Sequence, residues 1–232
     1  MFFVIKRVHI LLTSLFIVTF VGSYYAYGAY HAKNEPFVQS NLVVIDPGHG
    51  GVDGGAVGKE GTLEKDLNLQ ISKKLKDRLL ENGFNVVMTR EEDVSLHQEG
   101  ETKNKKRSDL NRRLQIIRSY ENAVFLSIHM NSFTSSLEKG IQIFYSVNHP
   151  QSKVLAELLE EDFKTYVDSE NRRKSKPAGS EIFLLKHAKV PACLIECGFL
   201  SNREEEQLLK NPEYQDKLVA SMIESLKRYM VL

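Results

Sequence analysis

The chain has 232 residues, 42% of them hydrophobic, and a formal net charge of +1. That is enough apolar material for one sizeable core, and too little net charge for the global field that would recruit nucleic acid, so no nucleic-acid partner is expected. Two cysteines are too few for a disulfide framework.

Residues 1–30 differ in kind from the rest. Lys6 and Arg7 precede residues 8–30, where His9 is the only side chain able to carry charge, and residues 10–21 form an apolar heart. That is the pattern of a secretory signal or of a membrane anchor. Ala26-Tyr27-Gly28 suits cleavage by a signal peptidase, whereas Tyr24, Tyr25, Tyr27 and Tyr30 suit the interface of a retained span, so both readings stay open. On either one the domain works outside the cytoplasmic membrane, tethered to it if the segment is uncleaved. Residues 31–41, polar and interrupted by Pro36, read as a linker into a single domain over 42–232.

The domain opens with Leu42-Val43-Val44-Ile45-Asp46-Pro47-Gly48-His49-Gly50-Gly51, followed by Asp53-Gly54-Gly55. A β-branched apolar run that stops in Asp, Pro and glycines predicts a buried strand delivering one imidazole onto a bendable loop. A dinucleotide fingerprint would need its third glycine at position 53, where Asp53 would repel a pyrophosphate.

Thr62 is placed to cap a helix running to about Glu81, with Leu67, Ile71, Leu75 and Leu79 on one face and Asn82-Gly83 as its stop. Glu64 breaks that pattern. The helical period puts its carboxylate on the core-facing edge, where it needs the helix dipole, a cation or a metal.

Residues 84–88 predict a second strand and residues 89–106 a long polar loop, a candidate for substrate or partner contact. Ser108 is placed to cap a helix carrying Leu110, Leu114 and Ile117, and the basic cluster over residues 103–113 reads as solvated loop charge. Residues 123–128 predict a strand that again ends in histidine, His129. Further strands are expected over 140–147, 192–196 and, as a short one, 181–186. Helices are expected from Pro150 to about Val167 and from Asn211-Pro212 almost to the C-terminus. Residues 171–179 read as a basic turn-forming loop. Cys193 and Cys197 share one predicted strand and lie about 13 Å apart along it, too far for a disulfide, so both should be free buried thiols. Strands alternating with amphipathic helices imply an α/β fold: a mostly parallel twisted sheet flanked by helices on both faces.

On that architecture His49, His129 and Glu196 stand at the C-terminal ends of three core strands, with Glu64 beginning at the same edge, which is where open α/β sheets bind ligands. Two imidazoles and one carboxylate can hold zinc with a position left for water, and a second carboxylate can serve as the base. No G-x-S-x-G elbow and no His-Glu-x-x-His helix is present.

Four ordered blocks now carry a resemblance: Asp46-Pro47-Gly48-His49-Gly50-Gly51, Leu63-Glu64-Lys65-Asp66, Ser127-Ile128-His129-Met130-Asn131, and Leu194-Ile195-Glu196-Cys197-Gly198-Phe199-Leu200-Ser201-Asn202. From about Leu42 onward the chain resembles the zinc-dependent N-acetylmuramoyl-L-alanine amidases of the amidase-3 family. The resemblance implies a Zn2+ ion held by His49, Glu64 and His129, with Glu196 as the catalytic carboxylate. The implied reaction is hydrolysis of the amide joining the lactyl group of N-acetylmuramic acid to L-alanine in peptidoglycan. Arg113 falls where many members carry an arginine, and it and Asn131 are candidates for touching substrate or supporting the ligands. Ser132, Cys197 and Lys186 depart from the usual Ala, Val or Leu, and Arg.

The finer pattern is similar to the spore-cortex branch, the germination-specific amidases of the CwlD type. That branch implies a role in forming muramic-δ-lactam, a lipoprotein activator in some spore formers, and a place in the forespore intermembrane space. A vegetative cell-wall amidase, a metal-dependent deacetylase of wall sugars and a catalytically silent wall-binding module are the alternatives. Retention of all four polar residues argues against the last.

Overall fold

The computed structural model describes residues 19, 22, 23, 41–97, 100 and 103–231. The expected signal or anchor over 1–30 and linker over 31–41 lie almost wholly outside the described residues; Thr19, Gly22 and Ser23 are helical. Among the described residues no helix is long and apolar enough to cross a membrane.

Six strands form one sheet: β1 (Leu42–Pro47), β2 (Asn85–Met88), β3 (Val124–Asn131), β4 (Gln142–Tyr145), β5 (Lys176–Pro177) and β6 (Ala192–Phe199), in the order β2-β1-β3-β6-β4-β5. Every pairing is parallel except that of β4 with β6. Among the described residues from 41 onward the helices are α1 (Glu64–Glu81), α2 (Lys105–Arg118), α3 (Gln151–Tyr166), α4 (Phe183–His187), α5 (Arg203–Lys210) and α6 (Pro212–Val231).

The period of two along each strand sorts side chains into two cores. Val43, Ile45, Leu126, Ile128, Cys193, Ile195 and Cys197 face α1, α3 and α6, whose stripes Leu67-Ile71-Leu75-Leu79 and Leu218-Met222-Leu226 are fully buried. Val44, Phe125, Ala192 and Leu194 face α2 and α4 through Leu114, Ile117, Leu184 and Leu185. The sheet is therefore covered on both faces, the condition under which parallel strands read as continuous apolar runs. Cys193 and Cys197 are free and buried, and burial pushes both thiols up.

Four local expectations are corrected. Thr62 does not cap α1: its carbonyl accepts from Gly58 N (2.8 Å) and the segment forms a bridge between Val57 and Leu63, so the helix begins at Glu64 behind Leu63. Ser108 does not cap α2 either. The helix starts one turn earlier at Lys105, because Asn104 tolerates a left-handed φ of +62°. Residues 181–186 are no strand; a short apolar run cannot be told from a helix by periodicity. Here α4 forms because Ser146 Oγ and Asn148 Nδ2 take the carbonyls of Leu185, Lys186 and Ala188, which leaves that backbone satisfied outside the sheet. Within the turn-forming loop of 171–179, Lys176–Pro177 adds the edge strand β5 beside β4. Sequence reasoning passed over α5, although its signal was present: Asn202 caps it, accepting from Glu204 N (3.0 Å) and Glu205 N (3.3 Å).

Candidate active site

The chain leaves β1 through a tightly held turn. Gly48 N donates to Ile128 O (3.0 Å), and a Cβ at Gly48 would run into the His129 ring, so only glycine lets the turn pass. His49 follows with φ +60°, a left-handed conformation that costs a non-glycine residue about 1–2 kcal/mol. Two buried arginines hold it there. Arg113 donates to Pro47 O (2.8 Å) and His49 O (2.5 Å), and Arg90 donates to Pro47 O (3.0 Å) and Gly48 O (2.9 Å).

Arg113 is fixed in turn by Asp46 (2.7 Å) and Asp109 (2.6 Å), and Asp46 also accepts from Thr89 Oγ1 (2.6 Å) and Ser127 Oγ (2.8 Å). Burial works against the Asp46 charge, but the Arg113 charge and these hydrogen bonds outweigh it and hold the carboxyl below the usual range. Burial and the nearby Arg113 charge pull Arg90 down to about 10. The guanidinium of Arg113 is thus committed to the turn that carries His49. Arg90 and Asp109 do not stand out in the sequence as parts of the site, and Asp46, which opens the first of the four blocks, carries no expected role there. Asp109 four residues before Arg113 on a helix was the available signal.

Glu64 is buried, as its helical position predicts. Its Oε1 accepts from Met130 N (3.1 Å) and Asn68 Nδ2 (3.3 Å) and lies 2.9 Å from His129 Nδ1. Its Oε2 accepts from Ala56 N (2.8 Å) and lies 3.1 Å from His49 Nε2. Burial again opposes ionisation, but hydrogen bonds and charge from His129 and His49 prevail, so the Glu64 pKa is lowered. The same contact outweighs burial at His129 and raises its pKa. The imidazoles of His49 and His129 meet edge to face, with ring centroids 5.0 Å apart. One ligand atom each from His49, Glu64 and His129 falls within 4.8 Å of the others, so the group could hold a metal ion.

Glu196 pairs with His129 across β3 and β6. Its Oε2 has no hydrogen-bond partner among the described residues, and removal from water pushes its pKa up to about 7. Asn131 closes β3 where its register against β6 shifts, and its Oδ1 accepts from Ser132 N (2.8 Å). Asp53 lies 3.0 Å from His49 Nδ1, on the side of the ring away from Glu64.

Fold and site together define a class: an α/β enzyme whose polar centre of two histidines and two carboxylates sits at the carboxyl edge of a mostly parallel sheet. Residues 43–228 match the family model described as N-acetylmuramoyl-L-alanine amidase. The chain belongs to that family, whose members hydrolyse peptidoglycan. It is 37% identical over 195 residues to a germination-specific N-acetylmuramoyl-L-alanine amidase of Bacillus subtilis (strain 168), covering 83% of this chain and 81% of that protein. The CwlD amidase of Clostridioides difficile, solved in complex with the GerS lipoprotein, superposes with a TM-score of 0.78 at 39% identity, over 82% of this chain and 98% of that one. An N-acetylmuramoyl-L-alanine amidase from Clostridium difficile 630 gives a TM-score of 0.73 at 32% identity, over 83% and 98%.

Proposed function

We propose that this amidase is zinc-dependent and acts in spore-cortex maturation, removing stem peptides so that muramic-δ-lactam can form. The observation that carries the zinc reading is the convergence of His49, Glu64 and His129. His49 Nε2 lies 3.1 Å from Glu64 Oε2 and His129 Nδ1 lies 2.9 Å from Glu64 Oε1, and one ligand atom from each of the three residues falls within 4.8 Å of the others, close enough for them to share one ion. The donor set, two imidazoles and an ionised carboxylate, is also the kind zinc takes in hydrolases that keep one position for water. When bound there, zinc supplies Lewis acidity, polarising the scissile carbonyl and making water acidic enough to attack at neutral pH.

The chain's own residues do the rest. Glu196, unpartnered at Oε2 and poised near neutrality, takes the proton of the attacking water and returns it to the departing alanine nitrogen. Asp53 places a carboxylate 3.0 Å from the far nitrogen of His49 without hydrogen-bonding it, and Asn68 steadies Glu64. Arg90 and Arg113 keep the His49 turn in its strained form.

The cortex assignment rests on the germination-specific relative and on the N-terminal segment, read as a signal or anchor over 1–30 that would place the domain over 42–232 outside the cytoplasmic membrane, in the forespore intermembrane space. A lipoprotein partner fits this reading, since the CwlD amidase of Clostridioides difficile was solved in complex with a lipoprotein. The test is digestion of purified peptidoglycan by the full chain, with and without chelator, followed by mass spectrometry. Free stem peptides beginning at L-alanine, abolished by chelator, are the expected products; released acetate would mean a deacetylase. Deleting the gene in a spore former should abolish cortex muramic-δ-lactam, and unchanged lactam would assign the enzyme to the vegetative wall.

A further inference from the structure

Glu206 of α5 is fully buried, yet it is not among the groups that meet at the polar centre. A carboxylate taken out of water needs strong partners, and this one finds them in the backbone of a single turn. Both of its oxygens accept from Glu60 N (3.1 and 3.0 Å), and Oε1 also accepts from Thr62 N (3.4 Å). Gly58 makes room for it, since a Cβ there would run into Glu206 Oε1. The turn is closed on itself by Gly58 N to Thr62 O (2.8 Å) and Gly61 N to Gly58 O (3.1 Å). The Glu60 side chain adds an outer contact, accepting from Arg203 (3.2 Å), Lys210 (3.0 Å) and Gln207 on the exposed side of α5.

This turn joins the His49 loop to α1, and its flanks grip Glu64. Val57 bridges to Leu63, and just outside that bridge Glu64 N donates to Ala56 O (2.9 Å). Ala56 N in return donates to Glu64 Oε2 (2.8 Å), the oxygen that lies 3.1 Å from His49 Nε2. One residue therefore holds both the main chain and the carboxylate of Glu64, and the turn that Glu206 anchors sets where that residue stands. The helix is rooted in its turn on β6, the strand that carries Glu196, because Glu205 accepts from Phe199 N (2.7 Å).

We propose that Glu206 is a positioning residue for Glu64: by pinning the turn over residues 58–62 to α5 it fixes Ala56, and through Ala56 the direction of the carboxylate offered to the metal. This rests on the zinc reading of His49, Glu64 and His129, and adds to it a determinant of metal affinity on a helix outside the centre. The two contacts of the turn with α5 are unequal. Charge-assisted bonds from buried backbone N–H groups to Glu206 are strong and directional, whereas the ion pairs of Glu60 lie at the surface and are worth little.

The test compares the full chain, stripped of metal, with three variants. Glu206→Gln keeps the shape but only one accepting oxygen, Gly58→Ala pushes the carboxylate out of the turn from the other side, and Glu60→Gln touches only the outer contact. Amide exchange is read residue by residue by mass spectrometry with electron-transfer fragmentation, and zinc affinity by competition with a chromogenic chelator. Glu206→Gln and Gly58→Ala should each speed exchange at Ala56 about tenfold while the amides of β3 keep the parent rates. Each should also weaken zinc binding about tenfold, the lower end for groups that support a metal ligand. Glu60→Gln should change neither by more than about twofold, as a surface contact requires. Should Glu206→Gln not fold, Gly58→Ala carries the same comparison. A folded variant with lowered Tm but unchanged zinc affinity would assign Glu206 to stability alone and overturn the proposal, and so would parent-like exchange at Ala56. A parent that binds no zinc would refute the metal reading alone, and exchange at Ala56 then still decides whether Glu206 holds Glu64.

Discussion

Replacing Arg113 by methionine, similar in length but uncharged, tests the idea that the turn carrying His49 is held by a buried ion pair. Arg113 and Asp46 are 2% and 1% exposed, so solvent screens neither. The substitution strands the Asp46 carboxylate and frees the His49 carbonyl, and breaking a buried pair by removing one partner costs about 3–5 kcal/mol. For a domain of this size that is a drop in Tm on the order of 10 °C. The pH dependence gives the sharper reading. In the parent, the Asp46 pKa is depressed by folding, so its contribution is present above the unfolded value and is lost as pH falls through the folded one. In Arg113→Met the buried, unpaired carboxyl has a raised pKa, so the variant loses stability as pH rises through and above the unfolded value of about 3.9. Urea denaturation at pH 4 and pH 7 should therefore show a deficit against the parent that is larger at pH 7. Zinc affinity, measured by competition with a chromogenic chelator, should fall about tenfold or more as the His49 turn relaxes. Arg113→Lys should recover little, because one ammonium cannot serve four acceptors in a fixed fork. A deficit independent of pH, with zinc affinity unchanged, would refute the reasoning.

Glu196→Gln should lower kcat by about 10²–10⁴-fold while metal analysis shows zinc retained; a loss of zinc would instead make Glu196 a ligand. Glu64→Ala should emerge from purification without zinc, and full occupancy would remove Glu64 from the ligand set. Gly55→Ala should abolish peptidoglycan hydrolysis with little change in circular dichroism, because its Cβ would lie 2.5 Å from Glu64 Oε2 and 2.8 Å from His49 Cδ2 at a backbone φ of +69°; retained activity would show that the loop yields. Zinc added to chelator-treated protein should raise Tm with concentration, as ligand linkage requires, and a Tm indifferent to zinc would argue that these three side chains hold no metal.

What the sequence determined by itself was the local and the periodic. The run from Leu42 to Pro47, β-branched and stopped by Asp, Pro and glycines, reads as a buried strand, the spacing of Leu67, Ile71, Leu75 and Leu79 marks one helical face, and Glu64 stands out because a carboxylate falls on that face. Histidines at two strand ends, with a glutamate at a third, point to one edge of the sheet. Tertiary structure decided what depends on partners distant in sequence. Residues 183–187 are helical because Ser146 and Asn148 are there to bind carbonyls of that turn, and Thr62 fails to cap because its own carbonyl is taken by Gly58 N. The basic cluster of residues 103–113, read from sequence as solvated charge, divides into a buried clamp at Arg113, an Arg107 stacked on the Phe183 ring and exposed lysines at positions 105 and 106. Composition counts charges, but only the fold fixes which of them find a partner, and that difference separates a scaffold from a surface that can still bind.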